Sequence, residues 1–362
     1  MSIRKLPDGE EGQQLIKEVP TASYGKLEAW AKEYKYANVD SFLRSMRSVM
    51  GVRREQPIAE TEEPIILSLP PVKLFDYKAK KRKRGDEEIA ILHTGDGHAC
   101  KITKSYNKEI YRQRMETMFK SIMTIVGLHR NMYPIRKLHI INTGDNIQGE
   151  NPYQGSRLGD VESMGARDQV KKVAVPMWND VIGSLKQNFE EVIFDGYPGN
   201  HGHDRLAPET SAYDLLLYDM LEQGIGQHKG ITIRGHETFG DILEIEGFRM
   251  FCFHGKEIPC TQGVPFFALT KKLQSWYIQY GGFNYAFGGH YHKRIEDEVT
   301  SKFEYFMVGT LVSDDDWAIR KLGISSSPSQ SLYGLHSHFG ITWRYPLQVV
   351  DKAFLPKKGV IK

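Results

Sequence analysis

The chain has 362 residues, which is long for a single compact domain, so we expect a main domain with an appendage. Hydrophobic residues make up 40% and charged residues 26%, which is ordinary for a globular protein with a sizeable core. The net charge of +3 is too small to indicate a nucleic-acid-binding protein by itself. Three cysteines without metal-type spacing argue against a disulfide framework.

The sequence also argues against secretion and membrane insertion. The first residues are polar and acidic and lack the apolar core of a signal peptide. No stretch approaches the roughly 20 apolar residues that cross a bilayer. We therefore expect a cytoplasmic protein without a membrane partner, and its oligomeric state is left open.

Residues 1–54 are predicted to form a small helical module. Apolar residues recur at helical spacing from Leu27 to Tyr34 and, after a break near Asn38, again from Phe42 to Val49. Two short helices across a tight break are typical of a helix-turn-helix module that binds DNA. A helical hairpin packed on the main domain, with its basic residues merely solvated, is the alternative interpretation.

Residues 55–88 are predicted to form a basic linker that contains prolines. The prolines interrupt any long helix, and the run at 78–84 contains six lysines and arginines among seven residues. Such a run attracts nucleic acid, because lysine and arginine release counterions from the phosphate backbone. A solvated, mobile tether is the other interpretation of the same run.

The main domain is predicted to span residues 89–362. Short apolar runs first alternate with amphipathic helical stretches, which is typical of α/β layers: strands at 89–94, 138–143 and 192–194, helices at 108–128, 169–185 and 212–221. From residue 231 onwards closely spaced strands dominate, with one helix at 266–280. We therefore predict an α/β fold with two facing mixed sheets flanked by helices. The serine-rich stretch 323–330 is predicted to be a loop, and His336 and His338 have no assigned role.

Five short stretches of the main domain carry the candidate functional residues. They lie at 94–98, 143–146, 199–201, 253–255 and 288–292, each at the end of an apolar run, and each contains Asp, Asn or His. Ligands of open α/β sheets bind at the carboxyl ends of the strands, so these side chains are expected to meet. Asp, Asn and His hold divalent metals at neutral pH. Each motif alone is a weak signal, but their joint occurrence predicts one site that holds two metal ions.

The order of these motifs resembles that of the calcineurin-like metallophosphoesterase superfamily over about residues 89–310. The superfamily pattern is Asp-x-His, Gly-Asp-x-x-Asp/Gly, Gly-Asn-His-Asp/Glu, a lone His and Gly-His-x-His. The resemblance implies two divalent ions: manganese, with zinc, iron or magnesium as alternatives. It also implies their ligands: Asp96, His98 and His292 for one ion, Asn200, His254 and His290 for the other, and Asp145 as the bridge between them.

His201 matches the catalytic histidine of the superfamily. With an ordinary pKa of about 6.5 it could protonate the leaving oxygen. Two departures from the pattern concern its partner: the carboxylate expected three residues after the bridging aspartate is Gln148, and the acidic residue expected after Gly-Asn-His is Gly202. Asp204 is the alternative partner for His201, and His203 could share the role of the acid.

We predict a metal-dependent phosphodiesterase, specifically a DNA nuclease similar to repair exonucleases, in which a hydroxide activated by two metals attacks phosphorus. The nuclease prediction rests on the basic linker and the helical module, a layout that also resembles phage-type members. The loop 149–168 could line a groove for DNA or be an ordinary surface loop. The alternatives are a phosphatase acting on phosphoprotein or nucleotide, and a non-catalytic nucleic-acid-binding protein.

Overall fold

The computed structural model describes residues 9–20, 22–50, 87–150, 164–203, 209–259, 265–315, 319 and 327–349. Two compact units are present, Met1–Pro64 and Ile65–Lys362. The predicted linker lies outside the described residues except at 87 and 88, and so does the basic run at 78–84. Within the described ranges, no helix combines the length and the apolar composition that crossing a bilayer requires.

The first unit is a small helical bundle that contains α1 (Gly9–Glu18), α2 (Tyr24–Glu33) and α3 (Val39–Met50). Its core is formed by buried apolar side chains from all three helices, among them Leu15, Leu27, Ala31 and Phe42. At the start of α3, Asn38 Oδ1 accepts a hydrogen bond of 2.8 Å from the Ser41 N–H, which satisfies a donor that the helix leaves unpaired. The two helical stretches predicted from the sequence lie in α2 and α3, and α1 is additional.

The larger unit contains a six-stranded sheet with the strand order β11-β10-β1-β2-β3-β4. Four neighbouring strands are parallel: β1 (Glu88–Thr94), β2 (Lys137–Asn142), β3 (Glu191–Gly196) and β4 (Ile231–Gly235). Two strands extend it in antiparallel fashion: β10 (Ser329–His336) and β11 (Gly340–Gln348). Every residue of β1 is buried, as expected for a strand covered on both faces. The prediction of a loop over 323–330 is wrong for its last two residues, because β10 already begins at Ser329.

Helices connect the parallel strands and cover the outer face of this sheet. They are α4 (Lys108–His129), the short α5 (Ala166–Asp168) with a π-helical continuation (Gln169–Ala174), α6 (Val175–Lys186) and α7 (Tyr213–Gln223). Asn107 Oδ1 caps α4 by accepting the Ile110 N–H at 2.9 Å. Buried Met118, Trp178 and Phe194 belong to the core between these helices and the sheet.

A second sheet of five strands has the order β5-β6-β7-β9-β8. Its strands are β5 (Gly240–Ile245), β6 (Phe248–Phe253), β7 (Tyr285–Gly288), β8 (Ile295–Thr300) and β9 (Phe303–Met307), and α8 (Phe266–Gln279) packs on one face. Its other face meets the large sheet, as the shared core of Ile91, Ile141, Phe287 and Tyr333 shows. The predicted sandwich of two facing mixed sheets with flanking helices is confirmed. β8 is a strand that the sequence analysis missed.

His336 and His338 lie at the edge of the large sheet opposite the carboxyl ends of β1, β2 and β3. His336 closes β10 opposite Glu88, the first residue of β1. Its ring lies 4.6 Å from that of Phe339, and its Nδ1 accepts the His338 N–H at 3.1 Å. This geometry orders the turn between β10 and β11.

Candidate dinuclear metal site

The seven residues predicted as metal ligands converge where β1, β2 and β3 of the large sheet and β6 and β7 of the small sheet end. Their ligand atoms form overlapping groups within 4.8 Å of one another: Asp96 with His98 and His292, His98 with Asp145 and His201, and Asp145 with His254 and His290. Asn200 joins the last group through its contact with His254. The carboxyl ends of strands from both sheets therefore contribute to one site, as expected for a ligand crevice in layered folds.

The first cluster consists of Asp96, His98 and His292. The Nε2 atoms of the two histidines face each other at 2.8 Å. Both point toward Asp96 Oδ1, at 3.4 Å from His292 and 3.8 Å from His98. Among the described residues, this oxygen has no hydrogen-bond partner although it is buried. Two imidazole nitrogens directed at one unpaired carboxylate oxygen are the donor set of a divalent cation.

The second cluster is built around His254. Its Nδ1 lies 2.6 Å from the Thr143 carbonyl and must donate there, because a carbonyl oxygen can only accept. Its Nε2 then faces Asn200 Oδ1 at 2.9 Å, Asp145 Oδ2 at 3.2 Å and His290 Nδ1 at 3.2 Å. Acceptor atoms gathered in this way need a positive charge among them, either a second proton on His254 or a cation.

The electrostatics of the second cluster determine the protonation of His254 and Asp145. Burial lowers the pKa of His254, but the Asp145 carboxylate outweighs burial and raises the pKa to about 10. Burial likewise raises the pKa of Asp145, yet the surrounding histidines hold this pKa well below its usual value. The ring of His254 is therefore protonated on both nitrogens at neutral pH.

Asp145 lies in the shared position between the clusters. Its ligand atom belongs both to the group with His98 and to the group with His254. Oδ1 accepts the His201 N–H at 2.7 Å, and buried Oδ2 lies 3.2 Å from His254 Nε2. Asp145 thus lies between the two clusters and faces histidines of both.

The backbone is left-handed at five of the predicted ligands. The φ angles are 50° at Asp96, 44° at His98, 54° at Asp145, 75° at His290 and 55° at His292. These are five of the nine described non-glycine residues with positive φ, so the strain is concentrated at the site. Such conformations cost about 1–3 kcal/mol each and persist where the surrounding structure enforces them, commonly at functional sites.

Gly199 allows the loops after β2 and β3 to approach each other. A Cβ atom built on Gly199 would lie 2.6 Å from Asp145 Cγ and closer still to its Oδ1 and backbone nitrogen. Real Cβ contacts are not shorter than 3.0 Å. Only glycine therefore fits beside Asp145 without a shift of this loop.

His201 lies beside the first cluster, with its ring edge-on to His98 at 4.3 Å between centroids. Its Nδ1 is 3.2 Å from the carbonyl oxygen of Gln148 and donates to it. Burial lowers the pKa of His201 to about 4, against the ordinary value assumed from the sequence. The partner of the His201 ring is thus the backbone carbonyl of Gln148, and His201 is neutral at physiological pH.

The other predicted catalytic residues are Asp204 and His203. Asp204 lies outside the described residues, as does the stretch 151–163 of the predicted DNA-binding loop. His203 is partly exposed, and it belongs to none of the metal-type groups found in the described part of the chain. Their roles remain predictions.

One residue of the site was missed by sequence reasoning. Asp214, in the first turn of α7, is buried and accepts hydrogen bonds from the backbone of Asp145, Asn146 and Gly199. An aspartate at the start of a helix is usual for reasons of helix stability alone. No signal in the sequence distinguishes it from such a residue.

No family model matches the sequence, and no curated protein matches it. Solved structures do match. A novel archaeal phosphodiesterase is similar over 67% of this chain and 92% of its own, with 13% identity and a TM-score of 0.32. A dimetal phosphatase from Danio rerio is similar over 72% of this chain and 99% of its own, with 10% identity and a TM-score of 0.34.

The chain resembles solved phosphoesterases. Another match is Vps29 complexed with zinc from Entamoeba histolytica, with 12% identity, 71% of this chain and 99% of that chain covered, and a TM-score of 0.32. These identities and TM-scores are low, so we base the functional assignment on the geometry of the site.

Proposed function

We propose that the protein is a metal-dependent phosphodiesterase with two divalent cations in this site. The observation that carries the proposal is the convergence of seven predicted ligand side chains from five strand ends, with Asp145 common to two of the overlapping groups. A lone metal needs only one such group. Two groups that share a carboxylate are the arrangement of a dinuclear centre.

The residues present fit two cations. Asp96 Oδ1 is a buried carboxylate oxygen without a hydrogen-bond partner among the described residues, and it faces two imidazole nitrogens. Leaving such groups unpaired costs roughly 1–3 kcal/mol each, so native structures seldom do so. The mixture of imidazole nitrogen and carboxylate or amide oxygen suits manganese, zinc or iron. When bound, a pair of such cations supplies Lewis-acid stabilisation of the charge that develops in an in-line displacement on phosphorus.

The residues of the chain have separable tasks in this reaction. Thr143 fixes the ring of His254 through the bond to Nδ1, so that Nε2 faces Asp145 and Asn200. His201 carries its proton on Nδ1 against Gln148 and presents a lone pair at Nε2. With a pKa of about 4, His201 is neutral, so it can take a proton from the attacking water and pass this proton to the leaving oxygen. This order differs from the role of a protonated acid expected from the sequence.

DNA is the substrate that we propose, with hydrolysis of phosphodiester bonds as the reaction. Exposed Lys293 and Arg294 directly follow the ligand His292, which provides positive charge at the rim of the site. The basic run at 78–84 supplies further charge for a phosphate backbone. A polyanion would be attracted by both, whereas a small monoester would need only the metals.

The test compares substrates with one protein preparation. Purified protein with manganese is incubated with a chromogenic phosphodiester, a phosphomonoester, and labelled single- and double-stranded DNA. We expect cleavage of the diester and of DNA that is lost in Asn200→Ala and His201→Ala and retained in the control His228→Ala, since His228 is exposed and belongs to no metal group.

The outcomes separate the alternatives. Turnover of the monoester alone would support a phosphatase acting on phosphoprotein or nucleotide. Two bound metals without turnover of any substrate would support a non-catalytic nucleic-acid-binding protein. Turnover that persists in both Asn200→Ala and His201→Ala would contradict the assignment of this site.

A further inference from the structure

We infer that Asp214 is a positioning residue that holds the Asp145 loop and the Asn200 loop at the separation that two cations require. This inference rests on the proposed function, because it assigns the ligand geometry of the same site. Asp214 touches no predicted metal position itself, since its carboxylate is occupied by the backbone of the two loops.

The carboxylate of Asp214 receives four hydrogen bonds from these loops. Oδ2 accepts the N–H groups of Asp145 at 3.0 Å and Gly199 at 2.9 Å, which lie in different loops. Oδ1 accepts the Asn146 N–H at 3.1 Å and the Asn146 side-chain Nδ2 at 2.9 Å. One buried oxygen atom, Oδ2, thus links the residue predicted to bridge the metals with the residue next to Asn200.

These bonds all reach outside the helix that carries Asp214. The residue lies in the first turn of α7, where the helix dipole favours a negative charge. Only 1% of its surface is exposed, although burying a carboxylate without compensation is very unfavourable. Burial raises the pKa of Asp214, and the hydrogen bonds from the loops oppose this rise. The helix therefore brings a buried carboxylate to the point where the ends of β2 and β3 expose their N–H groups.

The separation of the two loops determines the distances between the ligand atoms of the second cluster. Asn200 Oδ1 and Asp145 Oδ2 both face His254 Nε2, at 2.9 Å and 3.2 Å, and each belongs to one of the two loops. Without the anion, the N–H groups of Asp145 and Gly199 would point at each other with no acceptor between them. Since an unpaired buried donor is unfavourable, the loops would separate to admit water, and the ligands would separate with them.

A rigid network keeps Asp214 in register with the sheet. Asn146 Nδ2 also bonds to Asn142 Oδ1 at 2.9 Å, and the Tyr218 hydroxyl donates to the same Asn142 oxygen at 2.8 Å. Tyr218 stands one helical turn after Asp214 on α7. The bonds of Asp214 and those of Tyr218 therefore both fix the start of α7 relative to the end of β2.

The experiment measures manganese binding rather than turnover alone. Asp214→Asn keeps the shape of the side chain but replaces one of its two acceptor oxygens by an NH2 donor that faces loop N–H groups, whereas Asp214→Ser removes the carboxylate and leaves one shorter acceptor. Asp219→Asn is the matched control, because Asp219 is exposed on the same helix. Isothermal titration counts the bound ions, and electron paramagnetic resonance reports whether two manganese ions are magnetically coupled.

We expect Asp214→Asn to bind the second manganese roughly 10- to 100-fold more weakly, as is typical when the support of metal ligands is removed. The coupled signal should weaken at equal manganese and recover with excess, with Asp214→Ser affected at least as strongly and Asp219→Asn unchanged. Two ions bound with unchanged affinity and coupling in Asp214→Asn would overturn the inference, whatever its melting temperature. If Asp214→Asn does not fold, unchanged manganese binding in Asp214→Ser would overturn the inference instead. A wild-type protein that binds no pair of ions would instead refute the proposed function.

Discussion

Adding a single methyl group at Gly199 tests whether Asp145 stands at the reaction centre. In Gly199→Ala, the new Cβ would lie 2.6 Å from Asp145 Cγ, and a shift of at least 0.4 Å is needed to reach 3.0 Å. The backbone nitrogen of Asp145 lies closer still and is held by Asp214, so a change of rotamer cannot relieve the contact. The carboxylate must therefore leave its position between the two clusters.

Misplacement of a reacting group by about 1 Å can reduce a rate about 100-fold. We expect kcat/KM for a chromogenic diester to fall roughly 10- to 100-fold in Gly199→Ala, and the free energy of unfolding to fall by about 1–3 kcal/mol. Gly183→Ala on α6 is the matched control: its Cβ would meet Ile225 at an ordinary 3.5 Å, and a gain of up to about 1 kcal/mol in stability is expected. Wild-type kcat/KM in a folded Gly199→Ala would refute this reasoning.

Asp145→Asn should abolish turnover, because the bridging charge is lost; near-normal rates in the diester assay would show that Asp145 does not bridge. Metal uptake at about pH 8 should release a proton from His254, whose pKa is about 10 without metal, and calorimetry in buffers of different ionisation enthalpy would detect this release. The pKa of His93 is lowered by burial to about 3, so the unfolded chain binds more protons and stability falls as the pH drops from about 6.5 toward 3. His93→Phe should flatten this decline by up to about 1.4 kcal/mol per pH unit in urea unfolding of metal-free protein, and identical slopes would contradict the prediction. Deleting residues 1–84 should weaken DNA cleavage in a salt-dependent way and spare small diesters; equal loss on both substrates would refute that division of labour.

The candidate ligands could be predicted because each lies within four residues of the end of a strand. Ile89–Leu92 of β1 is an apolar run, and Asp96, two residues after the strand, lies at the sheet edge. The same logic brings His254 and His290 to that edge from the second sheet. Motif and strand thus support each other, and no knowledge of distant contacts is needed.

The strands β10 and β11 could not be predicted for physical reasons. β10 begins with the polar residues Ser329, Gln330 and Ser331, and Gln330 is paired over a long range: its Oε1 accepts the Gly95 N–H at 2.9 Å. β11 contains Pro346, which is tolerated because this strand lies at the edge of the sheet. Both features resemble a loop when only neighbouring residues are considered.

The partners of His201 and the role of Asp214 also depend on contacts between distant residues. The sequence has Gln148 where a carboxylate was expected. It does not reveal that the backbone carbonyl of Gln148 accepts a hydrogen bond from the His201 ring. Likewise, the sequence separates Asp214 from Asp145 by 69 positions, although they are in direct contact. Such pairs are visible only in the folded chain.

The left-handed backbone at five ligands has a consequence for the chemical identity of the site. Aspartate and histidine, with asparagine, are among the non-glycine residues that enter this conformation most readily, whereas β-branched side chains are strongly disfavoured. Positions 96, 98, 145, 290 and 292 are thus selected twice, once for metal affinity and once for backbone geometry. Exchanging one metal-binding side chain for another, such as aspartate for glutamate or histidine for cysteine, would keep a metal ligand but increase the strain of the left-handed backbone. Attempts to convert this centre to a different metal will therefore be limited by torsion angles before they are limited by coordination chemistry.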